Sequence, residues 1–419
     1  MNVLIVGKGG REHTLGWKMR QSPALERLYF MPGNAGTAQI GTNIHVDPHM
    51  HSVVLQFCQE NSVGLVVIGP DEYLAEGLTD FLSKNGVRVF GPTKAAAMLE
   101  WSKSFAKTFM REHNIPTAAH RVFTDPGAAI AYLQTQFFPI VIKADGLAFG
   151  KGVIIAENRA EAKQAIISML EKHIFGAAGD SIIIEEYLTG REISVHAFCD
   201  GNSAVLFPPS QDHKRRYEND AGPNTGGMGV VAPLPRVQPD VMHQIKTQII
   251  DPALKGMRER GTPFVGILFP GVMITREGPR VIEFNARFGD PETQSCMPLL
   301  KTDLLTVLNA CVDGTLTTTA IDWHNAYTCG VTLVSDGYPG AYEIGHEING
   351  LDTKTDALVF HAGTAKREDG KTVTAGGRVL TAVAMSDNLS DAITKTYTVI
   401  DSIEFSGMRF RKDIGQKAL

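Results

Sequence analysis

A strand-like segment near position 283 carries three polar side chains that could do chemistry together. Glu283, Asn285 and Arg287 are spaced two residues apart in V-I-E-F-N-A-R-F-G-D-P, so on a strand they point to one face. An oxygen pair on one face suits Mg²⁺ or Mn²⁺, which would bridge nucleotide phosphates, and Arg287 could fork onto a carboxylate or phosphate. An ion-paired strand leading into a turn is the structural alternative. Because three polar side chains on a buried-looking strand need partners, the pattern favours a functional site.

A second candidate is the glycine-rich turn D-G-L-A-F-G-K-G at 145–152, which lies between two predicted antiparallel strands. Such a hairpin can fold over a triphosphate like a lid and donate backbone N–H groups to it. Lys143, on the preceding strand, could reach a phosphate as a point charge. The segment is not a P-loop, because G-x-x-x-x-G-K-[ST] is absent. Taken alone, a plain turn is the more frequent structure for such a sequence.

Carboxylates also surround the end of a predicted strand at 181–185. The sequence E-E-Y-L at 185–188 is followed by Glu192. The backbone of a strand end can hydrogen-bond an adenine edge, and a carboxylate six or seven residues further on can bind ribose hydroxyls. A charged, solvated strand end explains the same residues, and this interpretation is favoured when the segment is considered alone.

Two polar loops could wrap a small ligand. S-Q-D-H-K-R at 210–215 is followed by G-P-N-T-G-G-M-G at 222–229. Many donors and acceptors beside glycines are typical of loops that bind polar molecules. An ordinary surface loop is an equally good explanation of the sequence alone.

The first glycine turn, V-G-K-G-G-R-E-H at 6–13, lies between a predicted strand and a predicted helix. Backbone N–H groups at a helix N-terminus bind anions, so a phosphate-bearing small molecule is one interpretation, and a purely structural turn is another. The dinucleotide fingerprint needs a small residue where Glu12 stands and an acidic residue about 20 positions on. The second strand ends instead in P-G-N-A-G-T at 32–37, which weighs against NAD.

These candidates must be positioned by elements that the sequence also predicts. Short apolar runs in the first hundred residues (3–6, 28–31, 65–68, 87–90) alternate with amphipathic stretches (50–59, 73–84), which is the pattern of βαβ units in a doubly wound parallel sheet. Further strands are predicted at 139–144, 153–156 and 181–185, and helices at 159–172 and 240–260. From about position 327, short strands separated by turns predict a small β-rich module.

Composition limits the class of protein. With 43% hydrophobic and 20% charged residues, the 419-residue chain has material for about two to four globular domains. Forty basic against 45 acidic residues, a net charge of −5, exclude the basic footprint of a nucleic-acid binder. No apolar run is long enough to span a bilayer, and no signal peptide is evident. The five cysteines form no C-x-x-C pair and the histidines lack metal-ligand spacing, so a reducing cytoplasm without a zinc site is expected.

Taken in order, these motifs resemble the ATP-grasp ligases, and within them the glycinamide ribonucleotide synthetase family. The resemblance covers essentially the whole chain, since it adds F-G-P-T at 90–93, E-F-N-A-R-F-G-D-P-E-T-Q at 283–294 and R-K-D-I-G at 411–415. It implies ATP-dependent joining of glycine to 5-phosphoribosylamine through glycyl phosphate, giving glycinamide ribonucleotide, ADP and phosphate in purine synthesis. It also implies Mg²⁺ or Mn²⁺, small-molecule partners only, and a monomer or weak dimer.

The resemblance implies a mixed α/β fold in three domains: an N-terminal substrate-binding domain at 1–101, an ATP-grasp domain at 102–324 with a lid at about 118–190, and a C-terminal domain at 325–419. The implied ATP contacts are Lys103, Lys143, Gly146, Gly150, Lys151, Gly152, Glu185, Leu188 and Glu192. The implied metal ligands are Glu283 and Asn285. The implied catalytic residues are Lys143, Arg287 for the carboxylate of glycine and Asp212 for its ammonium. The implied substrate contacts also include Gly9, Gly10, Arg11, Glu12, Asn34, Ala35, Gly36 and Lys214.

Two departures from the family pattern stand out. Phe149 occupies a position in the hairpin where a small residue is expected, and F-P-G at 269–271 carries no acid where many ATP-grasp enzymes have a first metal carboxylate. Alternatives remain at this stage: an ATP-grasp carboxylase or transformylase acting on another purine intermediate, a nucleotide-binding module without turnover, and a Rossmann dehydrogenase.

Overall fold

An open parallel sheet forms the N-terminal part of the chain. The computed structural model describes residues 1–146, 152–352 and 356–419. The N-terminal elements are β1 (Asn2–Gly7), α1 (Gly10–Met19), β2 (Arg27–Pro32), α2 (Thr37–Ile40), β3 (Thr42–Asn43), α3 (His51–Glu60), β4 (Val63–Ile68), α4 (Asp71–Glu76), α5 (Leu78–Lys84), β5 (Val89–Phe90) and α6 (Lys94–Trp101). The strand order is β3-β2-β1-β4-β5, all parallel. Val3 to Val6 are fully buried, as a strand covered on both faces requires.

The middle of the chain forms two antiparallel sheets. Its elements are α7 (Lys103–Glu112), β6 (His120–Phe123), α8 (Pro126–Tyr132), β7 (Ile140–Ala144), β8 (Val153–Ala156), α9 (Arg159–Ile166), β9 (Ile182–Glu186), β10 (Arg191–Ser194), β11 (Ala197–Asp200), β12 (Ala204–Leu206), β13 (Gln211–Asp212), β14 (Arg215–Tyr217), β15 (Ala221–Asn224), β16 (Gly229–Ala232), α10 (Pro239–Ile245), α11 (Asp251–Glu259), β17 (Val265–Thr275), β18 (Gly278–Asn285), α12 (Glu292–Cys296) and α13 (Leu304–Val312). One sheet has the order β6-β9-β7-β8; in the other, β17 pairs with β10, β11 and β18, and β12 pairs with β11.

The sheet β6-β9-β7-β8 is a small layer with its own apolar core. Ile140, Ile142 and Ile184 are at most 1% exposed and pack with α8 and α9 in a cluster separate from the rest of the protein. Strands β7 and β8 form the antiparallel hairpin that the sequence predicts. The predicted hairpin residues Phe149, Gly150 and Lys151 lie outside the described residues.

The C-terminal part is built on a sheet that it shares with the middle of the chain. Its elements are β19 (Tyr327–Ser335), β20 (Leu358–His361), β21 (Thr364–Lys366), β22 (Thr372–Thr374), β23 (Arg378–Ser386), α14 (Leu389–Ile400) and β24 (Met408–Arg409). The strand order β13-β16-β19-β23-β20 places two strands from 211–232 in this sheet, with Gly229 opposite Val331. The sheet therefore crosses the boundary predicted at 324/325, and we call it the shared sheet. The 12-residue helix α14, which the β-rich prediction omits, packs on β19 and β23.

Several predicted helices are interrupted. The stretch at 73–84 is two helices, because Gly77 adopts a left-handed conformation with φ of 92° between α4 and α5. The predicted helices at 159–172 and 240–260 continue from α9 and α10 through π-helical turns, at Ile167–Glu171 and Lys246–Ile250. Short 3₁₀ turns complete the secondary structure: Leu133–Thr135, Gly176–Gly179, Glu218–Asp220, Met297–Leu299, Leu316–Thr318 and Gln416–Ala418. In the described parts of the chain, no helix combines the length and apolar character needed to cross a membrane.

Candidate active site

A buried cluster of charged side chains joins the sheet β6-β9-β7-β8, which we call the lid sheet, to β18, the strand that carries the predicted metal ligands. Glu185, at the end of β9, lies between two lysines: its Oε2 is 3.0 Å from Lys143 Nζ and its Oε1 is 3.1 Å from Lys107 Nζ. Lys143 also donates to the carbonyl of Ile282 on β18, at 3.0 Å. All three charged side chains are at most 5% exposed. Burial lowers the pKa of Lys107 to about 8, although Glu185 opposes this shift.

Lys103 holds the start of the glycine-rich hairpin. Its Nζ donates to the carbonyl of Gly146 at 2.8 Å, and the backbone N–H of Ser104 donates to Asp145 Oδ1 at 3.1 Å. The beginning of α7 and the beginning of the hairpin are therefore in contact. Gly152, at the other end of the hairpin, is buried. Lys103 and Lys143 thus lie on two elements that flank the hairpin, as the predicted phosphate contacts require.

Glu283 is surrounded by positive charge. Burial alone would raise the pKa of Glu283, but Lys214, Lys143, Lys103 and Arg287 hold it below the ordinary value of a glutamate. The carboxylate is therefore ionised at neutral pH, which a metal ligand requires. Asn285, two residues on, donates from Nδ2 to the carbonyl of Phe269 at 3.2 Å, and its Oδ1 accepts from Arg287 Nη2 at 3.2 Å.

The side chains of Glu283 and Asn285 offer oxygens of the kind that a divalent cation prefers, although in this structure Asn285 Oδ1 accepts from Arg287. Within the described residues, no group of three or more His, Cys, Asp or Glu could hold a metal. A cation here would take one carboxylate and one amide oxygen from the protein and the rest from phosphates and water, as Mg²⁺ commonly does.

Lys214 lies between two carboxylates. Its Nζ is 2.5 Å from Glu192 Oε1 and 3.8 Å from Glu283 Oε1, so it bridges the predicted ribose and metal residues. Its contact with the other substrates stays a prediction. Leu188 is half-buried in the loop between β9 and β10.

Two carboxyl groups lie close enough to interact at the edge of the shared sheet, the half-buried Asp212 and the buried Glu292. Burial and the neighbouring Glu292 raise the pKa of Asp212 on β13 to about 8, and burial also raises the pKa of Glu292, at the start of α12. Within the described residues, Asp212 Oδ1 has no hydrogen-bond partner. Two acids in this arrangement prefer to share one proton or to bind a cation, and the ammonium of an amino acid is such a cation.

Arg287 is held beside these acids by a residue of the N-terminal domain. Its Nη2 lies 2.9 Å from Glu100 Oε1, and Glu100 Oε2 accepts from the backbone N–H of Ala286 at 2.8 Å. Burial raises the pKa of Glu100 to about 7, although Arg287 opposes the shift. The Nε of Arg287 is buried and has no partner among the described residues, and its contact with the carboxylate of glycine stays a prediction.

The N-terminal glycine turn contacts the segment 288–294, which follows Arg287. The backbone N–H of Gly9 donates to Glu12 Oε2 at 2.5 Å, and Arg11 donates from Nη1 to the carbonyl of Phe288 at 3.0 Å. A Cβ on Gly10 would lie 2.5 Å from Gln294 Nε2. Gly9, Arg11 and Glu12 therefore make contacts within the protein, and their direct contact with a phosphate stays a prediction.

The loop at 34–36 joins the N-terminal and C-terminal domains. Asn34 donates from Nδ2 to the carbonyls of Lys8 and His361, at 2.9 and 2.8 Å, and accepts at Oδ1 from the backbone N–H of Gly36. Ala35 donates from its backbone to the carbonyl of Thr364. The Asn34 amide is thus engaged on both sides, which makes it a structural bridge in the present geometry.

Sequence reasoning missed several charged residues of the site. Arg378, on β23, reaches Asp290 Oδ1 at 3.3 Å and the Asp290 carbonyl at 2.7 Å, and it also donates to Gly226. Lys107 stands four residues after Lys103 on α7, a helical spacing that could have indicated it. Glu292 lies inside a quoted motif without an assigned role. No local sequence pattern could have indicated Arg378, because its partners are 88 and 152 residues away in the chain.

The fold and the site together define the class of protein. A small antiparallel sheet, β6-β9-β7-β8, and the antiparallel sheet that contains β18 bring lysines and carboxylates together, and an N-terminal parallel sheet precedes them in the chain. This arrangement is that of the ATP-grasp enzymes. Family models narrow the class: those for the N, ATP-grasp (A) and C domains of phosphoribosylglycinamide synthetase match residues 1–100, 101–293 and 328–417. The chain belongs to the phosphoribosylglycinamide synthetase family.

Relatives agree with this assignment. The chain is 45% identical over 420 residues to the phosphoribosylamine–glycine ligase of Halalkalibacterium halodurans, covering 100% of this chain and 97% of the relative. It is 46% identical over 424 residues to the trifunctional purine biosynthetic protein adenosine-3 of Gallus gallus, but spans only 42% of that protein's length.

Solved structures show the same fold. The phosphoribosylamine–glycine ligase of Thermotoga maritima superposes with a TM-score of 0.88 at 33% identity, covering 99% of this chain and 100% of that chain. The biotin carboxylase domain of Hydrogenobacter thermophilus 2-oxoglutarate carboxylase superposes with a TM-score of 0.75 at 15% identity, covering 99% and 97%; this second likeness concerns the fold alone.

Proposed function

We propose that the protein joins glycine to 5-phosphoribosylamine with cleavage of ATP to ADP and phosphate, giving glycinamide ribonucleotide in purine synthesis. One observation carries the proposal: the pair Asp212 and Glu292 lies beside Arg287, next to the lysines and the carboxylate of the nucleotide half. A pair of acids with an arginine matches the ammonium and carboxylate of a small amino acid. Lys103 and Lys143, which flank the hairpin between β7 and β8, match the phosphates of a nucleoside triphosphate. The Glu283–Asn285 face matches its metal ion.

The proposed reaction has two steps. A carboxylate oxygen of glycine attacks the γ-phosphorus of ATP, and the bond from phosphorus to the ADP oxygen breaks, giving glycyl phosphate. The amine nitrogen of phosphoribosylamine then attacks the carbonyl carbon, the bond from carbon to the phosphate oxygen breaks, and the nitrogen loses a proton. Lys103 and Lys143 balance the charge on the phosphates, and Arg287 orients the glycine carboxylate.

A divalent cation completes the nucleotide half. Glu283 and Asn285 would hold Mg²⁺ or Mn²⁺, which when bound neutralises charge on the phosphates. Glu192 and the backbone around Glu185 and Leu188 would contact the ribose and the adenine. Gly146 and Gly152 would lie near the phosphates, and Gly9, Gly10 and 34–36 would lie near the ribose phosphate. The five cysteines are all free and buried, in keeping with a cytoplasmic enzyme.

An assay of ADP release with each substrate omitted in turn tests the proposal. ADP release should require glycine and Mg²⁺ and should be fastest when phosphoribosylamine is present. The alternative is an ATP-grasp carboxylase or transformylase, for which bicarbonate or formate would replace glycine. Equal ADP release with bicarbonate or formate would reject the ligase function.

Replacement of Asp212 by Asn should weaken glycine binding while it stabilises the free protein. Burial and Glu292 raise the pKa of Asp212 from 3.8 to about 8, so the folded state binds the proton more tightly than the unfolded state. The contribution of this group to stability is therefore complete at pH values below 3.8 and is lost as the pH rises through 8. Asn cannot ionise, so the thermal unfolding midpoint of the variant should exceed that of the parent by a margin that grows from pH 5 to pH 9.

The same variant should have a KM for glycine raised about tenfold or more, because a neutral amide replaces a carboxylate beside an ammonium. The KM for ATP should be nearly unchanged. A variant with a parental KM for glycine would remove Asp212 from the glycine site.

A further inference from the structure

A second cavity lies where β14 meets the C-terminal domain. Its volume is about 440 Å³, within the range of pockets that hold small molecules, about 300–1,000 Å³. Three segments that are distant in the chain line it: 216–218, 336–338 and 409–411. None of these residues has a part in the proposed mechanism, so a molecule bound in this cavity would be a further ligand.

Arg216 is a buried side chain with an unpaired end in this cavity. The residue is 5% exposed, and its Nε donates to the carbonyl of Tyr338 at 2.8 Å. Among the described residues, Nη1 and Nη2 have no acceptor, and no carboxylate forms an ion pair with the guanidinium. Neither atom is fully covered by protein, so the unpaired end of the guanidinium opens onto the cavity that Arg216 lines.

The other charged groups of the cavity already have partners. Arg409 Nη2 is 3.3 Å from Asp336 Oδ2, and Glu218 Oε1 accepts from the backbone N–H of Lys412 at 3.3 Å. Arg411 pairs with two carboxylates, at 2.7 and 3.0 Å. Among the described residues that line the cavity, one guanidinium is therefore left without an anion.

The environment of Arg216 favours the entry of an anion. Taking a charged group out of water is unfavourable unless it is paired. Burial lowers the pKa of Arg216 below the ordinary value of an arginine, and Arg409 acts in the same direction, although Tyr217 and Asp336 oppose the shift. Because an arginine stays protonated at neutral pH, the charge persists, and an anion in the cavity would compensate it.

We propose that this cavity binds a phosphate group, either free or at the end of a phosphate monoester, through the terminal nitrogens of Arg216. The hydrogen bond from Nε to Tyr338 fixes the guanidinium, so Nη1 and Nη2 present a pair of donors that matches two phosphate oxygens. Arg409, which is half-exposed at the same cavity, adds a second positive charge. The cavity has room for the carbon part of a monoester as well as for its phosphate.

Calorimetric titration of the full chain with inorganic phosphate, and separately with AMP, tests the proposal. The active site also receives phosphates, so the new site is the part of the binding that substitutions in the cavity remove. Arg216→Met should weaken this binding about tenfold or more, since it removes hydrogen bonds to a charged group. Arg409→Met should weaken it less, about threefold, because Arg409 is half-exposed and shares its charge with Asp336.

Arg215→Met is the matched control. Arg215 precedes Arg216 on β14, donates from Nη1 to the carbonyl of Gly222 at 2.8 Å and does not line the cavity. The control therefore removes the same charge from the same strand and should bind both probes with an affinity close to that of the parent. A crystal structure of the parent with phosphate should show the ion within hydrogen-bond distance of Arg216 Nη1 and Nη2.

The two probes separate the sources of the phosphate group. Tighter binding of AMP than of phosphate to the cavity would assign a monoester, and equal binding would assign free phosphate. Parental affinity of Arg216→Met for both probes would overturn the proposal, as would a crystal structure with phosphate in which the cavity is empty. Phosphate seen in the crystal without binding in solution would mean an adventitious ion only and would also overturn it.

The test remains decisive if Arg216→Met does not fold. In that case Arg409→Met decides, since parental affinity of this variant for both probes would contradict a site at this cavity. None of these measurements depends on turnover. Failure of the proposal would therefore leave the proposed function intact, and a missing glycine-dependent release of ADP would not affect the binding result.

Discussion

Replacing Glu283 by Gln should slow turnover about a hundredfold or more, in line with the several kcal/mol that a bound metal contributes to charge stabilisation. The substitution keeps the shape of the side chain but removes the anionic oxygen that four cations surround. The repulsion between the positive charges of Lys214, Lys143 and Lys103 would then be greater, because the negative charge among them is gone. Steady-state rates of ADP release at several Mg²⁺ concentrations measure the effect, and the loss should be greatest when Mg²⁺ is limiting.

Glu277→Gln provides the control for this substitution. Glu277 lies in the exposed turn between β17 and β18 and pairs with Arg280. The substitution therefore removes one negative charge from the same hairpin without changing the site. Its turnover should match that of the parent. Normal turnover of Glu283→Gln at limiting Mg²⁺ would show that Glu283 is a structural residue only.

Replacing Arg411 by Leu should destabilise the protein by about 3 kcal/mol, the lower end of the cost of breaking a buried ion pair. The guanidinium of Arg411 is 1% exposed; it pairs with Asp413 at 2.7 Å and with Asp220 at 3.0 Å, and it donates to the carbonyl of Arg215 at 3.0 Å. Leu would leave both carboxylates and the carbonyl without this donor. The loop after β14 would lose one of its contacts with the C-terminal segment, since Asn219 still donates from its backbone to Asp413 and Lys417 still pairs with Asp220.

Chemical unfolding of the parent, Arg411→Leu and Lys412→Leu measures this loss. Lys412 is the exposed neighbour, so its replacement removes the same charge and should change stability by no more than about 0.5 kcal/mol. Burial would raise the pKa of Asp413, but hydrogen bonds from Arg411 hold it below the usual value. The stability that this pair supplies is therefore present at neutral pH and lost as the pH falls through the lowered pKa, so the parent and the Leu variant should converge in acid. Equal stability of the two at pH 7 would contradict the assignment.

The parts of the site that lie on one strand or one turn could be predicted from the sequence. Period-two spacing placed Glu283 and Asn285 on one face of β18, and the two strands predicted around the glycine-rich segment, β7 and β8, do pair antiparallel. The alternating pattern of the first hundred residues gave the parallel sheet. In these cases the signal is local, because the residues that determine the structure are neighbours in the chain.

The parts that depend on distant contacts could not be predicted in this way. Glu12 accepts from the Gly9 backbone N–H, a contact that the sequence pattern of the turn did not indicate, and Glu100 fixes Arg287 across 187 positions. Arg216 is unremarkable in sequence, since it follows another arginine in a polar segment; only its burial, and its terminal nitrogens without an acceptor among the described residues, single it out. Gly77 interrupted a continuous amphipathic stretch because tertiary packing overrides periodicity.

The shared sheet has a consequence for how this chain can be cut, fused or permuted. Strand β16 is hydrogen-bonded on one side to β13 and on the other to β19, so division at 324/325 would expose an open strand edge on each fragment. Strand β13, which carries Asp212, would stay paired with β16, but β16 would lose its other neighbour in the same cut. The C-terminal domain is therefore not a detachable module. Any rearrangement of the chain must keep β16 and β19 together, because the two strands are one structural unit across the domain boundary.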